Sequence, residues 1–279
     1  MKNLKKTFVP FLLLVIFSFT VNSQEYKPKI KVSKGENYNY SSEILMEMNI
    51  SAGGQDIKMN SSTNYTSKNK IDNINSDGTI EIINTTSDIK IKTQAMGKDS
   101  TITMDGNAGP TYKQKFDKLG NFISKTIIDS SQMNLNLENN SGNMAVFCEF
   151  PDKNLKPGDK WTKDRLDTIE VKQIGGAMDV KAQSEYTMGQ KEKIDGMDLI
   201  KVTYTSTLTI GGKGEMMGMN IFMEGTGAGN GELYFNPATG VINMSKGNVE
   251  MDINMVLTGA QNMNMPMNQK ITLNQKLIK

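Results

Sequence analysis

The chain contains no histidine. That absence removes Ser-His-Asp and Cys-His catalysis, imidazole general bases, and every His-ligated zinc, copper or haem site. Cysteine is nearly missing too. Cys148 stands alone, so no intrachain disulfide can form. It lies in AVFCEF among apolar neighbours, where it reads as a small buried hydrophobe rather than a nucleophile. An excess of charge of either sign is also lacking. Lys and Arg number 32 against 30 Asp and Glu, and the lysines are scattered rather than clustered. Such a distribution offers no electrostatic footprint for nucleic acid or anionic lipid. Bulky aromatics are sparse, at one Trp, eight Tyr and ten Phe, which limits what can fill a wide interior.

Long hydrophobic runs are absent except at the start. Lys2, Lys5 and Lys6 precede an apolar stretch from Phe8 to Val21, and Val21-Asn22-Ser23 ends on a small residue before Gln24. This is the pattern of a secretory leader. The run, about 14 residues, is shorter than the roughly 20 that a spanning helix needs. No cysteine follows it to carry a lipid. The expectation is a leader at 1–23 that is removed and one β domain at 24–279. The product would be exported to the periplasm or secreted, soluble, and not membrane-spanning. Removing three positive charges from a net +2 leaves the domain at −1.

What is present is alternation. In IKVTYTSTLTI the apolar positions are Ile200, Val202, Tyr204, Leu208 and Ile210, with Lys201 and threonines between them. VEMDINMVL sets Val249, Met251, Ile253, Met255 and Leu257 against Glu250, Asp252 and Asn254, and ILMEMNI does the same through Ile44, Met46, Met48 and Ile50. Successive strand residues point to opposite faces, so each stretch predicts a strand with one wet and one covered face, as antiparallel sheets have. Gly53-Gly54, Asp77-Gly78, Gly175-Gly176, Asp195-Gly196 and Gly211-Gly212 supply turn signals between strands. The segment 129–143, DSSQMNLNLENNSGN, fits a short helix or, through Met133, Leu135 and Leu137, another strand.

The chain also repeats itself. KGENY at 34–38 answers PGDKW at 157–161, Gly53-Gly54 answers Gly175-Gly176, and FDKLGNFI at 116–123 answers FNPATGVI at 235–242. The offset drifts from 123 to 119, which predicts two pseudo-repeats, about 30–150 and 151–279, rather than a solenoid. The expected fold is all-β: an antiparallel, highly curved sheet or open half-barrel that both repeats share.

KVSKGENYNY, FPDKNLKPGDKW, KEKIDGMDLIKV and GELYFNPATGVI resemble a family of exported bacterial envelope β proteins catalogued as a domain of unknown function. The likeness covers about residues 30–279, and its motifs are structural. It implies an all-β fold and Gram-negative export, and it carries no catalytic residue onto this chain.

Three constellations invite chemistry. Asn73, Asn75, Asp77 and Gly78 sit at calcium-loop spacings, but the twelfth position is Asn84 where a bidentate Glu belongs, so a hairpin turn is expected. GEMMGMNIFMEGTGAGNGELYF is rich in Gly but lacks the Lys-Ser/Thr ending of a phosphate loop, and its glycines suit bends in a curved sheet. QNMNMPMNQK offers Met263, Met265 and Met267 as a thioether ladder for a soft metal. Those sulfurs share their context with every other strand methionine, and the row runs on to Ile271 and Leu273. The ladder is apolar face, and no metal or cofactor is expected.

Met is flexible and polarizable and recurs where a surface adapts to varied apolar partners. With 21 in the chain, those of the strands at covered positions, the reading is a non-enzymatic binder of a lipid or other apolar small molecule. Met46, Met48, Met219, Met251, Met255, Met263 and Met265 are the candidate contact residues. The alternatives are a structural or protein-interaction module with a filled core, and a carboxylate-type hydrolase.

Overall fold

The computed structural model describes residues 25–107, 109–129, 146–171, 175–216, 218–259 and 262–278. The expected leader at 1–23 and most of the ambiguous segment 129–143 lie outside them. Twelve strands follow one another: β1 (Asn37–Ala52), β2 (Gln55–Ile74), β3 (Ile80–Ala95), β4 (Lys98–Asn107), β5 (Thr111–Phe116), β6 (Phe122–Asp129), β7 (Lys160–Val171), β8 (Gly176–Ile194), β9 (Met197–Met216), β10 (Met219–Phe235), β11 (Ile242–Thr258) and β12 (Met263–Ile278). No helix occurs among the described residues. All the strands join one antiparallel sheet in the order β6-β5-β3-β2-β1-β12-β11-β10-β9-β8-β7, with β4 also on β3.

The sheet is all-β, antiparallel and not closed. It is continuous through the middle of the chain order because β12 returns to β1, in register from Asn39↔Ile278 to Ile50↔Met267. The edge strands β6 and β7 do not pair, yet the curl brings them near each other. The Arg165 guanidinium of β7 stands 4.8 Å from the centre of the Phe122 ring of β6. Glu149 lies between them, its carbonyl accepting from Trp161 Nε1 at 2.9 Å and its carboxylate from the Phe122 amide at a long 3.4 Å.

Curvature has a local cause in β10. Gly225, Gly227, Gly229 and Gly231 occupy four successive inward positions, and side chains from both neighbouring strands fold over them. An added Cβ at Gly231 would meet the Tyr204 ring carbon Cζ and hydroxyl at 2.6 Å, and one at Gly227 would meet Met251 Cγ at 2.8 Å. Without side chains of its own on that face, β10 lets β9 and β11 approach across it.

One end of the sheet is plugged. The two non-strand segments 26–32 and 146–155 cross it, tied by Tyr26 and Leu155 exchanging backbone bonds of 2.8 and 2.9 Å. Phe147, Phe150, Phe235, Tyr40 and Leu155 are fully buried there, with Trp161, Phe116 and Ile82 around them. Phe150 meets Phe235 edge-on at 5.0 Å, and Trp161 stacks on Tyr186 at 5.4 Å. The few aromatics are therefore concentrated into a floor rather than spread through the interior. Cys148 is 1 % exposed within it, and burial pushes its thiol well above the ordinary range. Ile30 is wedged between the two turns that answer each other in sequence. Its Cδ1 would lie 3.3 Å from a Cβ on Gly120 and 2.6 Å from one on Gly240. Both glycines hold positive φ, at 83° and 79°, as do Gly35 and Gly158 at 90° and 94°.

Turn chemistry follows the expected dipeptides at Gly53-Gly54 and Asp195-Gly196, where both residues take positive φ. Asp77-Gly78 turns β2 into β3, with Asp77 Oδ1 accepting from the Thr79 amide at 2.8 Å. Gly211-Gly212 is a correction. It lies inside β9, in register with Asp179 and Met178 of β8, and the strand continues to Met216. An added Cβ on Gly212 would sit 3.0 Å from the Ala177 carbonyl, so close packing against β8 accounts for that glycine rather than a turn.

Candidate functional site: the inner face of the sheet

Register places every candidate methionine on the face that also carries the floor. Partners across a ladder share a face. Tyr40 of the floor is followed inward on β1 by Ser42, Ile44, Met46, Met48 and Ile50. Opposite these on β12 stand Leu277, Gln275, Leu273, Ile271, Gln269 and Met267. On β11, Met251 faces Gln269, Ile253 faces Met267, and Met255 faces Met265. Met255 also faces Met223 across β10, so three thioethers meet there.

The structure brings some of the seven together and leaves others apart. Met48 and Met251 flank Gln269 from either side. Met46, one row closer to the floor, has its sulfur 2.9 Å from the Gln269 amide nitrogen. Met255 and Met265 form the next pair toward the open end. Met219 and Met263 are at that rim: Met219 Cγ would lie 3.2 Å from a Cβ on Gly259, and Met263 is 38 % exposed. The other six are half-buried. In the floor cluster, by contrast, the single methionine is Met188, 2 % exposed. These methionines are therefore not packing material for the densest part of the molecule. They line the stretch above it, with Ile210, Ile221 and Leu257 as buried anchors near the rim.

Grooves of 680, 690 and 460 Å³ open on the opposite, outer face. Asn49, Glu224, Asp252, Asn254 and Asn268 line the first, all at outward-facing positions. Glu224 and Asp252 are exposed there, and Asp252 accepts from Asn268 Nδ2 at 2.9 Å. No group of three or more Cys, Asp or Glu residues is placed to hold a metal ion among the described residues.

Inward charge is confined to strands at the sheet's edges: on β6, Lys125 pairs with the buried Gln114, its Nζ 3.8 Å from the centre of the buried Tyr112 ring. The inward rows of β1, β2 and β8 to β12 carry only uncharged side chains between the floor and the rim. On β7 the inward row instead runs Trp161, Lys163, Arg165 and Asp167. Sequence reasoning missed this group. The signal was the broken alternation in WTKDRLD, where Leu166 invites assignment to the inner face. In the structure Leu166 is 60 % exposed on the outside and Arg165 points in.

No protein-family model matches the chain, and no curated protein does. Among solved structures, an outer membrane channel from Pseudomonas putida F1 shares 8% identity at a TM-score of 0.28, over 90% of this chain and 98% of the channel. OccK5 (OpdH) and OccK7 (OpdD) of Pseudomonas aeruginosa each share 6% identity, at TM-scores of 0.24 and 0.25. Each match covers 88% of this chain, and 99% and 100% of the respective structure. Likeness at that level carries no argument about this protein. Among the described residues no helix is long and apolar enough to cross a membrane, which says nothing of strands.

Proposed function

We propose that this chain is an exported, non-enzymatic envelope protein that holds a lipid or other apolar molecule on the inner face of its sheet. The observation that carries the reading is the state of the methionines above the floor. Met46, Met48, Met251, Met255 and Met265 are half-buried on a face whose neighbours are Ile, Leu and Val, and they leave apolar surface for a guest. Each methylene that a guest buries there contributes about 0.8 kcal/mol. Met rotates to fit chains of different shape, which suits a carrier. Removal of the leader at 1–23 would release the protein into the compartment where such carriers work. The absence of histidine and the burial of Cys148 favour binding over catalysis.

Mass spectrometry of lipids extracted from the purified mature protein tests the reading, beside Met251→Asp and Met265→Asp variants. Wild type should carry lipid, and at least one variant that keeps its β-sheet circular dichroism should lose it. A wild type that carries none, and takes up none from mixed vesicles, would sink the proposal.

A further inference from the structure

We propose that Arg165 receives the anionic head of the bound molecule, which is therefore a long-chain carboxylate or phosphate ester rather than a neutral apolar compound. The proposal rests on the reading that the inner face holds an apolar chain, and it names the end that the face leaves unassigned.

Arg165 is the sole arginine. It sits inward where the strand's alternation would favour Leu166, and a charge turned in with a leucine turned out is the informative kind of exception. Its guanidinium carbon lies 4.8 Å from the centre of the Phe122 ring, a cation–π contact that helps to hold it. Asp167 Oδ2 approaches Nε at 2.8 Å, an ion-pair contact whose geometry is too poor for a hydrogen bond. Nε and Nη2 are both buried and have no hydrogen-bond partner. The Nη2 side of this planar fork, away from Asp167, is suited to an oxygen of a carboxylate or phosphate. Lys163, two residues along the same inward row, offsets the charge of Asp167 and keeps this strip net positive.

The strip also connects to the methionine face. Arg165 pairs with Ala182, Ala182 with Leu208, Leu208 with Gly227, and Gly227 with Met251. Arg165 and Met251 thus belong to one rung of the sheet, four strands apart, or roughly 19 Å measured along it. The small side chain of Ala182 leaves the surface low beside Arg165, and beyond it Leu208 and Met251 close over Gly227 into a continuous apolar strip. A chain with its head on Arg165 can pass over Ala182, run along Leu208 and reach the sulfur of Met251. Nothing else on the inward rows from β8 to β12 could hold a charged head.

The experiment measures equilibrium binding of palmitic acid, hexadecyl phosphate and hexadecanol to the mature wild-type protein, Arg165→Met and Arg165→Lys. Wild type should bind at least one of the two anions about tenfold or more tightly than the alcohol, the range of a charge-assisted pair. Arg165→Met should bind all three alike, and Arg165→Lys should keep part of the preference. The tighter of the two anions tells whether the head is a carboxylate or a phosphate. Equal binding of acid, phosphate and alcohol by wild type overturns the assignment of Arg165 while the inner-face reading stands, and this comparison needs no variant. An anion preference that survives in Arg165→Met overturns it as well. Failure of wild type to bind any of the three overturns the inner-face reading itself.

Discussion

Replacing Gly227 with alanine should damage the molecule at the point where its curvature is made. The new methyl would lie 2.7 Å from the Glu250 carbonyl oxygen and 2.8 Å from Met251 Cγ, with Leu208 Cδ1 at 3.4 Å. Met251 can rotate away, but the Glu250 carbonyl belongs to the ladder between β10 and β11 and cannot. Overpacking of this kind costs about 1–3 kcal/mol. Alanine also narrows the unfolded ensemble, which returns about 0.4–1 kcal/mol. The net loss is about 1–2 kcal/mol. Gly211→Ala is the matched control: it is also a strand glycine, on the outer face, with nothing within 4 Å of its added methyl. That variant should be neutral or slightly stabilised, so the two should differ by about 2 kcal/mol. Urea unfolding followed by circular dichroism reads this as a shift in midpoint at unchanged slope. Equal midpoints for the two variants would refute the idea that β10 gives up its side chains so that its neighbours can close over it.

The remaining predictions concern the floor and the rim of charge around it. Tyr40 is fully buried, and its hydroxyl donates to the Ile242 carbonyl at 2.8 Å, so Tyr40→Phe should cost about 1–3 kcal/mol in the same urea assay; no loss would mean that the bond contributes nothing. Cys148 should resist a thiol reagent in the native protein and react fully once the chain is unfolded, whereas rapid native labelling would show that the floor opens. Lys115 and then Lys113 hold the Glu81 carboxyl below its ordinary value, with ion pairs at 3.0 and 3.3 Å. A lowered folded-state value contributes stability above the unfolded value of about 4.3 and loses it as pH falls through the folded one. Wild type should therefore lose stability on acidification below pH ~4, and Glu81→Gln should show a shallower fall; identical slopes would count against the pairing.

Much of this architecture was legible in residues such as Ile200 to Ile210 and Val249 to Leu257, because a half-covered strand writes its face directly into alternate positions. β12 pairs with β1, so one sheet holds the first strand and the last. Three features were not legible, each for a physical reason. Gly211-Gly212 has the composition of a turn but sits mid-strand, because close contact with β8 and hairpin geometry both select glycine. The floor is built by segments 26–32 and 146–155, whose irregular backbone has no period to read. Arg165 is turned in with Leu166 turned out, and the broken alternation of WTKDRLD marks the irregularity without saying which of the two faces inward. The candidate methionines were legible as one face.

The central claim is that an apolar chain lies inside this sheet, above the aromatic floor. Trp161 is the sole tryptophan, and it stands in that floor on the same inward row as Arg165. A fatty acid brominated along its chain quenches tryptophan on contact, and its unbrominated counterpart does not. In a Leu208→Trp variant, whose new indole stands on the rung between Arg165 and Met251 while Trp161 stays in the floor as reference, titration with both should give saturable quenching by the brominated acid alone, reversed by excess of the plain one and weakened in Met251→Asp. Emission that stays unchanged up to the solubility limit of the brominated acid would contradict the account.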